Sequence, residues 1–235
     1  MEKQKLVKDA PHQKYITASG EEVPGGSTIC KIGDSPEALI MWAWKLGTEG
    51  KDYRKERDRA ASIGTIAHFM CEAFLNNFAV DLSDYPQDQI DKALICYNKF
   101  VDWWDEQNLE KVATEIQLVH SSRRYGGTID LVAKKANGDH VLIDFKTSKR
   151  ISDSYWRQVA GYSELWDDRH QHNSNMRIKN HAIVRIGKED EGDFEVAWRE
   201  DILMESMVFN KQTELYWAMQ KAKLAKPKKP RKKKA

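Results

Sequence analysis

Cysteine is scarce, with only Cys30, Cys71 and Cys96 in 235 residues. They are far apart, odd in number and lack metal-ligand spacing, which argues against a disulfide framework and excludes a four-cysteine cluster. They are expected to stay reduced inside a cell, at least two as small core residues. Long hydrophobic runs are also lacking. No apolar stretch approaches the roughly 20 residues that span a bilayer, so no membrane association is expected. The amino terminus, MEKQKLVKDA, is polar and charged and does not read as a secretory signal. No G-x-x-x-x-G-K-[ST] loop is present, which excludes a phosphate-loop ATPase or helicase. There is no internal repeat.

What remains is ordinary globular composition, 40% hydrophobic and 31% charged, enough for one domain with a proper core. Eight Trp and eight Tyr suit a large core or an aromatic-lined groove. The net charge of +2 conceals an asymmetry. The last ten residues, KPKKPRKKKA, hold seven of the 38 basic residues and no acid, so 31 basic face 36 acidic residues in a body of net charge −5. Such a tail is expected to be disordered and to suit polyanions. The expected organisation is a single domain over 1–225, with an N-terminal extension over 1–62 and a core from about 63, followed by the tail over 226–235.

Periodicity gives the elements. Residues 1–36 read as an irregular or hairpin-like entry punctuated by Gly and Pro. A helix is predicted over 36–47, then an exposed charged segment, then a helix over 63–78 striped by Ile63, Ala67, Met70, Phe74 and Phe78. The clearest helix covers 87–107, with Ile90, Ala93, Leu94, Tyr97, Phe100, Val101 and Trp104 on one side. Strands are predicted over 112–119 and on both sides of Ala136-Asn137-Gly138. A helix over 154–167, capped at Ser152 or Ser154, strands over 181–186 and 193–198, and a last helix capped by Asp201 complete the chain. The order predicts a mixed α/β domain around one sheet.

The stretch GGTIDLVAKKANGDHVLIDFKTSK, residues 126–149, places Asp130, Asp144 and Lys146 inside otherwise apolar strands, which usually avoid such residues. Asp144 and Lys146 share one face, while Thr128, Asp130 and Val132 share a face opposite Ile129 and Leu131. Facing residues of a hairpin have numbers with a constant sum. A two-residue Asn137-Gly138 turn makes the sum 275 and sends Asp144 to the wrong side. A three-residue loop of Ala136-Asn137-Gly138 makes it 274 and sets Asp130 opposite Asp144, with Gly138 supplying the left-handed position. The longer loop is predicted. Val132 and Leu142 share the charged face, a pattern that suits a strand covered on both sides. Two carboxylates held there repel unless neutralised, and oxygen ligands at this spacing suit Mg²⁺ or Mn²⁺.

Gly-x-x-Asp on one strand and Asp-x-Lys on the next resemble the PD-(D/E)XK nuclease superfamily. GTIAH upstream, Glu115 on the preceding strand and QVAGY on the following helix match its RecB-type branch, over about Gly64 to Tyr162. VPGGSTIC, followed by an aromatic helix, looks like its phage and mitochondrial genome maintenance exonuclease members. The resemblance implies a restriction-endonuclease-like, three-layer α/β core with a central mixed sheet flanked by helices. It implies that Asp130 and Asp144 hold one or two Mg²⁺ or Mn²⁺ ions, with His68 and Glu115 as further ligands. Lys146 would orient or help deprotonate the attacking water and stabilise charge on the phosphate. Gln158 and Tyr162 would contact DNA or brace the site, beside Thr147 and Lys149 on the loop after the second strand. Ile129 stands where many members have proline. Members with an iron–sulfur cluster use four cysteines, so none is expected here.

The function implied is a metal-dependent deoxyribonuclease, with exonuclease action favoured over a structure-specific or nicking endonuclease and over a non-catalytic DNA-end-binding protein. The partners implied are DNA, single-stranded or as double-stranded ends, and a recombination or replication protein. The expected setting is the cytoplasm of a bacterial or phage-infected cell. The basic tail also resembles a nuclear localisation signal, which leaves a nuclear setting open.

Overall fold

The computed structural model describes residues 2–8, 14–189 and 192–224. The entry segment holds β1 (Lys3–Lys5), β2 (Tyr15–Ile16), β3 (Glu22–Val23) and the short helix α1 (Gly26–Cys30). Next come α2 (Glu37–Thr48), α3 (Tyr53–Asn76), β4 (Ala79–Asp81) and α4 (Gln87–Glu106). The remainder is β5 (Glu110–Val119), β6 (Gly126–Lys134), β7 (His140–Lys146), α5 (Asp153–Arg169), β8 (Ile178–Ile186), β9 (Phe194–Arg199) and α6 (Leu203–Leu224). Strands β5 to β9 form one sheet in chain order, antiparallel except between β7 and β8. A parallel pair needs a long crossover, and α5 provides it. Among the described residues, no helix is long and apolar enough to cross a membrane. The basic tail lies outside the described residues.

Both faces of the sheet are covered. On one side Ile129, Val132, Leu142 and Ile183 pack with Trp156, Val159 and Leu165 of α5 and Phe209 of α6. On the other, Leu131, Ile143, Phe145 and Val184 pack with Ile66, Met70, Cys71 of α3 and Ala93, Cys96, Phe100 of α4. Burial on two sides explains why β6, β7 and β8 read as nearly continuous apolar runs. All three cysteines are buried as small core residues. The result is a restriction-endonuclease-like core: a mixed five-stranded sheet between two helical layers.

The β6–β7 hairpin adopts the longer loop. Leu131 pairs with Ile143, Val132 with Leu142 and Lys134 with His140, each summing to 274. Lys135 N donates to Asp139 O at 2.9 Å and Gly138 N to Lys135 O at 2.9 Å, closing a turn over Ala136, Asn137 and Gly138. Gly138 has φ +92°, the left-handed position this loop needs. A Cβ built on Gly138 meets no atom within 4 Å, so any cost there is torsional rather than steric. Gly138→Val should therefore lower stability by about 1–2 kcal/mol, measurable by denaturant titration, with no loss of core packing.

Several local expectations shift. The helix expected from residue 63 starts at Tyr53, where the Asp52 side chain caps Arg54 N at 2.9 Å. The Arg, Lys, Glu and Ala of this charged stretch are good helix formers, and their side chains stay mostly exposed while the backbone is helical. The division drawn at residue 62 thus falls within a continuous helix. At its far end Asn77 turns left-handed, at φ 58°, and leaves Phe78 beyond the helix. In α4 the buried row is Ala93, Cys96, Phe100 and Trp103, while Leu94 is exposed. Ser152 occupies the N-cap of α5, but its hydroxyl meets that of Ser154 at 2.7 Å instead of capping the backbone. Asp201 caps α6 as expected, accepting from Leu203 N at 2.8 Å.

Candidate metal centre

Alternation along β6 breaks at Asp130. Leu131 and Ala133 face α3 and α4, but Ile129 packs with Val132 on the α5 side, contrary to the simple two-residue period. The ladder between β6 and β7 stops at the Leu131–Ile143 pair. Just beyond it, Asp130 Oδ2 accepts from Phe145 N at 2.8 Å, so a carboxylate takes the donor that the ladder has released. Opposite Asp130 in the β5–β6 register is Glu115, between the Thr114–Leu131 and Ile116–Ile129 pairs. Glu115 has φ +46°, a left-handed backbone that costs a non-glycine residue energy and marks sites where geometry is imposed.

Helix α3 brings His68 to this break. His68 Nδ1 lies 3.7 Å from Asp130 Oδ1, and its ring stands edge-on to Phe145 at 5.9 Å between centroids. Gly64, one turn earlier, lets the helix approach the end of β7, since a Cβ there would meet Thr147 Oγ1 at 2.9 Å. His68, Glu115 and Asp130 each offer a ligand atom within 4.8 Å of the others, a possible metal-binding triad. His68 and Glu115 border an open cavity of about 410 Å³ that also touches Thr147 and Glu72.

Asp144 lies outside that triad and is drawn to Lys146. Lys146 Nζ sits 2.5 Å from Asp144 Oδ2, an oxygen that is buried and receives no well-aligned hydrogen bond. The ammonium also lies 5.0 Å from the centre of the Tyr155 ring. Tyr155 was not singled out from the sequence, although it precedes Gln158 by three residues and so shares its helical face. Gln158 Nε2 donates to Tyr162 Oη at 2.6 Å, which links two of the predicted residues to each other. Tyr162 is buried against the start of β6, where a Cβ on Gly127 would collide with its ring at 2.4 Å. The VPGG segment meets the same place: Gly126 N donates to Pro24 O at 3.0 Å, and Tyr15 Oη meets Thr128 Oγ1 at 3.1 Å. Nothing in the sequence pattern points to Tyr15. Lys149 is exposed on the loop after β7, away from these contacts.

Burial and crowding set the charge states. Burial, reinforced by the Asp130 charge, pushes the Glu115 carboxyl up to about 8 against the pull of His68. Burial likewise raises Asp144 to about 6, although Lys146 opposes it. For Asp130 burial also acts upward, but His68, Lys146 and the Phe145 N–H together hold it below the usual carboxylate range. His68 is held above its ordinary value because Asp130 outweighs the burial that would lower it. Burial would depress Lys146 too, yet Asp144 and Asp130 outweigh it and keep the ammonium charged. A charged Lys146 fits orientation and charge stabilisation better than proton abstraction.

A divalent cation fits this donor set. Three carboxylates, Glu115, Asp130 and Asp144, gather with two cationic groups, His68 and Lys146, so with every group ionised the cluster carries one negative charge more than it neutralises. Carboxylate oxygens with one imidazole are ligands that such a cation accepts.

No family model matches this sequence, and no curated protein matches it closely. Among solved structures the chain is similar to SSO0001, at 16% identity and a TM-score of 0.38 over 58% of this chain and 63% of that one. It is also similar to an alkaline exonuclease, LHK-Exo from Laribacter hongkongensis, at 13% identity and a TM-score of 0.34 over 71% and 92%. The chain therefore spans just under two thirds of the length of SSO0001. Likenesses this distant carry no argument, and the chemistry rests on the residues themselves.

Proposed function

We propose that this chain is a divalent-metal-dependent DNA nuclease of the PD-(D/E)XK kind, acting as an exonuclease in recombination, repair or replication of a phage or bacterial genome. One observation carries the reading. The hairpin register and the break at Asp130 bring a His–Glu–Asp triad close to an Asp–Lys pair, with His68 and Glu115 on the wall of an open cavity. His68, Glu115 and Asp130 would hold Mg²⁺ or Mn²⁺, with Asp144 as a further carboxylate. When bound, the ion supplies Lewis-acid stabilisation of charge at the scissile phosphate. Lys146 keeps a positive charge beside that phosphate and orients the attacking water. Tyr155 limits the directions the Lys146 ammonium can take, and the Gln158–Tyr162 pair braces the α5 side of the site.

The test is cleavage of linear single-stranded, linear double-stranded and covalently closed circular DNA with Mg²⁺ or Mn²⁺. Linear DNA should disappear while the closed circle survives, and EDTA should stop the reaction. Nicking of the circle would instead identify an endonuclease. No turnover of any substrate with either metal would leave a DNA-end-binding protein.

A further inference from the structure

Helix α3 runs past the site rather than ending at it. Counting back from His68 in steps of three and four gives Gly64, Ala61, Arg57 and Arg54, which lie on one face of the helix. Ala61 and Gly64 belong to the wall of the cavity that holds His68 and Glu115, so this face is open where it meets the site. The two arginines continue the same line outward, and both are exposed. Arg57 pairs with its neighbour Asp58, in an exposed contact of the kind worth little in water, and its guanidinium lies 5.7 Å from the centre of the Tyr53 ring. Arg54 makes no ion pair among the described residues, and only its backbone N–H serves the Asp52 cap. The acids of this stretch, Asp52, Glu56 and Asp58, are displaced from the line of the two arginines.

A line that passes from a metal-ligand histidine over small residues to two cations matches the needs of an extended polyanion. The small side chains let a backbone lie close, and the arginines meet its phosphates bidentately. Arg57 and Arg54 are about 16 and 21 Å from His68 along the helix at 1.5 Å per residue. At about 3.4 Å or more per nucleotide, that is no more than about six nucleotides from the reacting phosphate.

We propose that the α3 line is the track of the DNA strand being cut, with Arg57 and Arg54 holding phosphates up to about six nucleotides from the scissile bond. This rests on the nuclease reading and assigns the substrate's path to a face of the fold that the reading leaves unassigned. Lys55 is an internal control, one residue from Arg54 but turned about 100° further round the helix from the track.

The experiment measures binding of labelled single strands of about four and about twenty nucleotides, in Ca²⁺ and over a salt series, with strand integrity checked on gels. The Arg54→Ala/Arg57→Ala double variant should bind the long strand about tenfold more weakly at low salt. Its log–log salt slope should fall by about 1.4, two contacts at about 0.7 each for single strands. The short strand should bind as it does to the unmodified protein, and Lys55→Ala should match the unmodified protein on both. An unchanged affinity and slope in the double variant, or an equal loss in Lys55→Ala, would overturn the track while leaving the nuclease reading intact if the unmodified protein still cuts DNA. If the unmodified protein neither binds nor cuts DNA, the nuclease reading fails and the track falls with it.

Discussion

On the proposed nuclease reading, Lys146→Met should abolish DNA cleavage, by at least about 10³-fold, while the His68–Glu115–Asp130 triad and the fold persist. Removing a single group that stabilises charge in a water-poor site typically costs about 10²–10³ in rate, and Lys146 also positions the carboxylate of Asp144. The same change should reduce stability. Asp144 is left 2% exposed with no cation beside it, and a buried charge stripped of its partner costs about 3–5 kcal/mol. Adding Asp144→Asn to Lys146→Met should recover much of that stability, because no buried charge then remains unpaired. Activity should not recover. Melting temperature and single-turnover cleavage, measured on all three proteins, check both halves. Cleavage by Lys146→Met within tenfold of the unmodified protein would remove Lys146 from the chemistry.

Stability without metal should fall as pH rises, and Glu115 should be the main reason. Its carboxyl is ordinary in the unfolded chain, near 4.5, and pushed up to about 8 in the fold. The folded protein therefore holds a proton that the unfolded chain releases. That contribution is complete below about 4.5 and is lost as pH climbs through about 8. Asp144, raised to about 6, acts in the same direction over a narrower window. Asp130, held below its usual range, acts oppositely, and its contribution is lost only in acid. In EDTA the melting temperature should drop by on the order of 10 °C between about pH 5 and pH 8.5. Glu115→Gln should flatten that drop and melt higher than the unmodified protein at the alkaline end. Mg²⁺ or Mn²⁺ should raise the melting temperature more at pH 8 than at pH 6 and release protons on binding. A Glu115→Gln profile parallel to that of the unmodified protein would show that its carboxyl is not the crowded one.

Both expectations depend on geometry that was only half legible in the sequence. The parity of the hairpin could be read because it is a local property. Asn137 and Gly138 leave a choice between two turns, and the expected three-residue loop is the one formed, although the ladder ends at Leu131–Ile143, one pair short of the two carboxylates. The covered sheet was legible for a similar reason, since burial on both faces leaves apolar residues at odd and even positions of β7 alike. His68 was legible through the resemblance carried by GTIAH, in which Gly64 is a close-approach position on the same helix face.

Other parts of the site carry no sequence period. The left-handed turn of Glu115 and the reversal at Asp130 arise where the β6–β7 ladder ends and His68 of α3 approaches, and no alternation pattern anticipates a break in itself. The start of α3 at Tyr53 was hidden because a charged stretch without an apolar stripe reads equally as loop or as exposed helix. The seat of Tyr15 on Gly126 and the approach of Tyr155 to Lys146 join residues distant in sequence or placed by a crossover.

The sequence by itself thus determined which strands carry the acids, which helix carries the histidine, and the register of the β6–β7 hairpin. These follow from side-chain period and turn geometry, which are local. The tertiary structure alone decided that Asp130 leaves the ladder to accept from Phe145, that Glu115 is crowded enough to hold a proton near neutrality, and that Asp144 is drawn to Lys146. Those outcomes depend on burial and on charges brought together across four different elements, and neither quantity exists until the chain has folded.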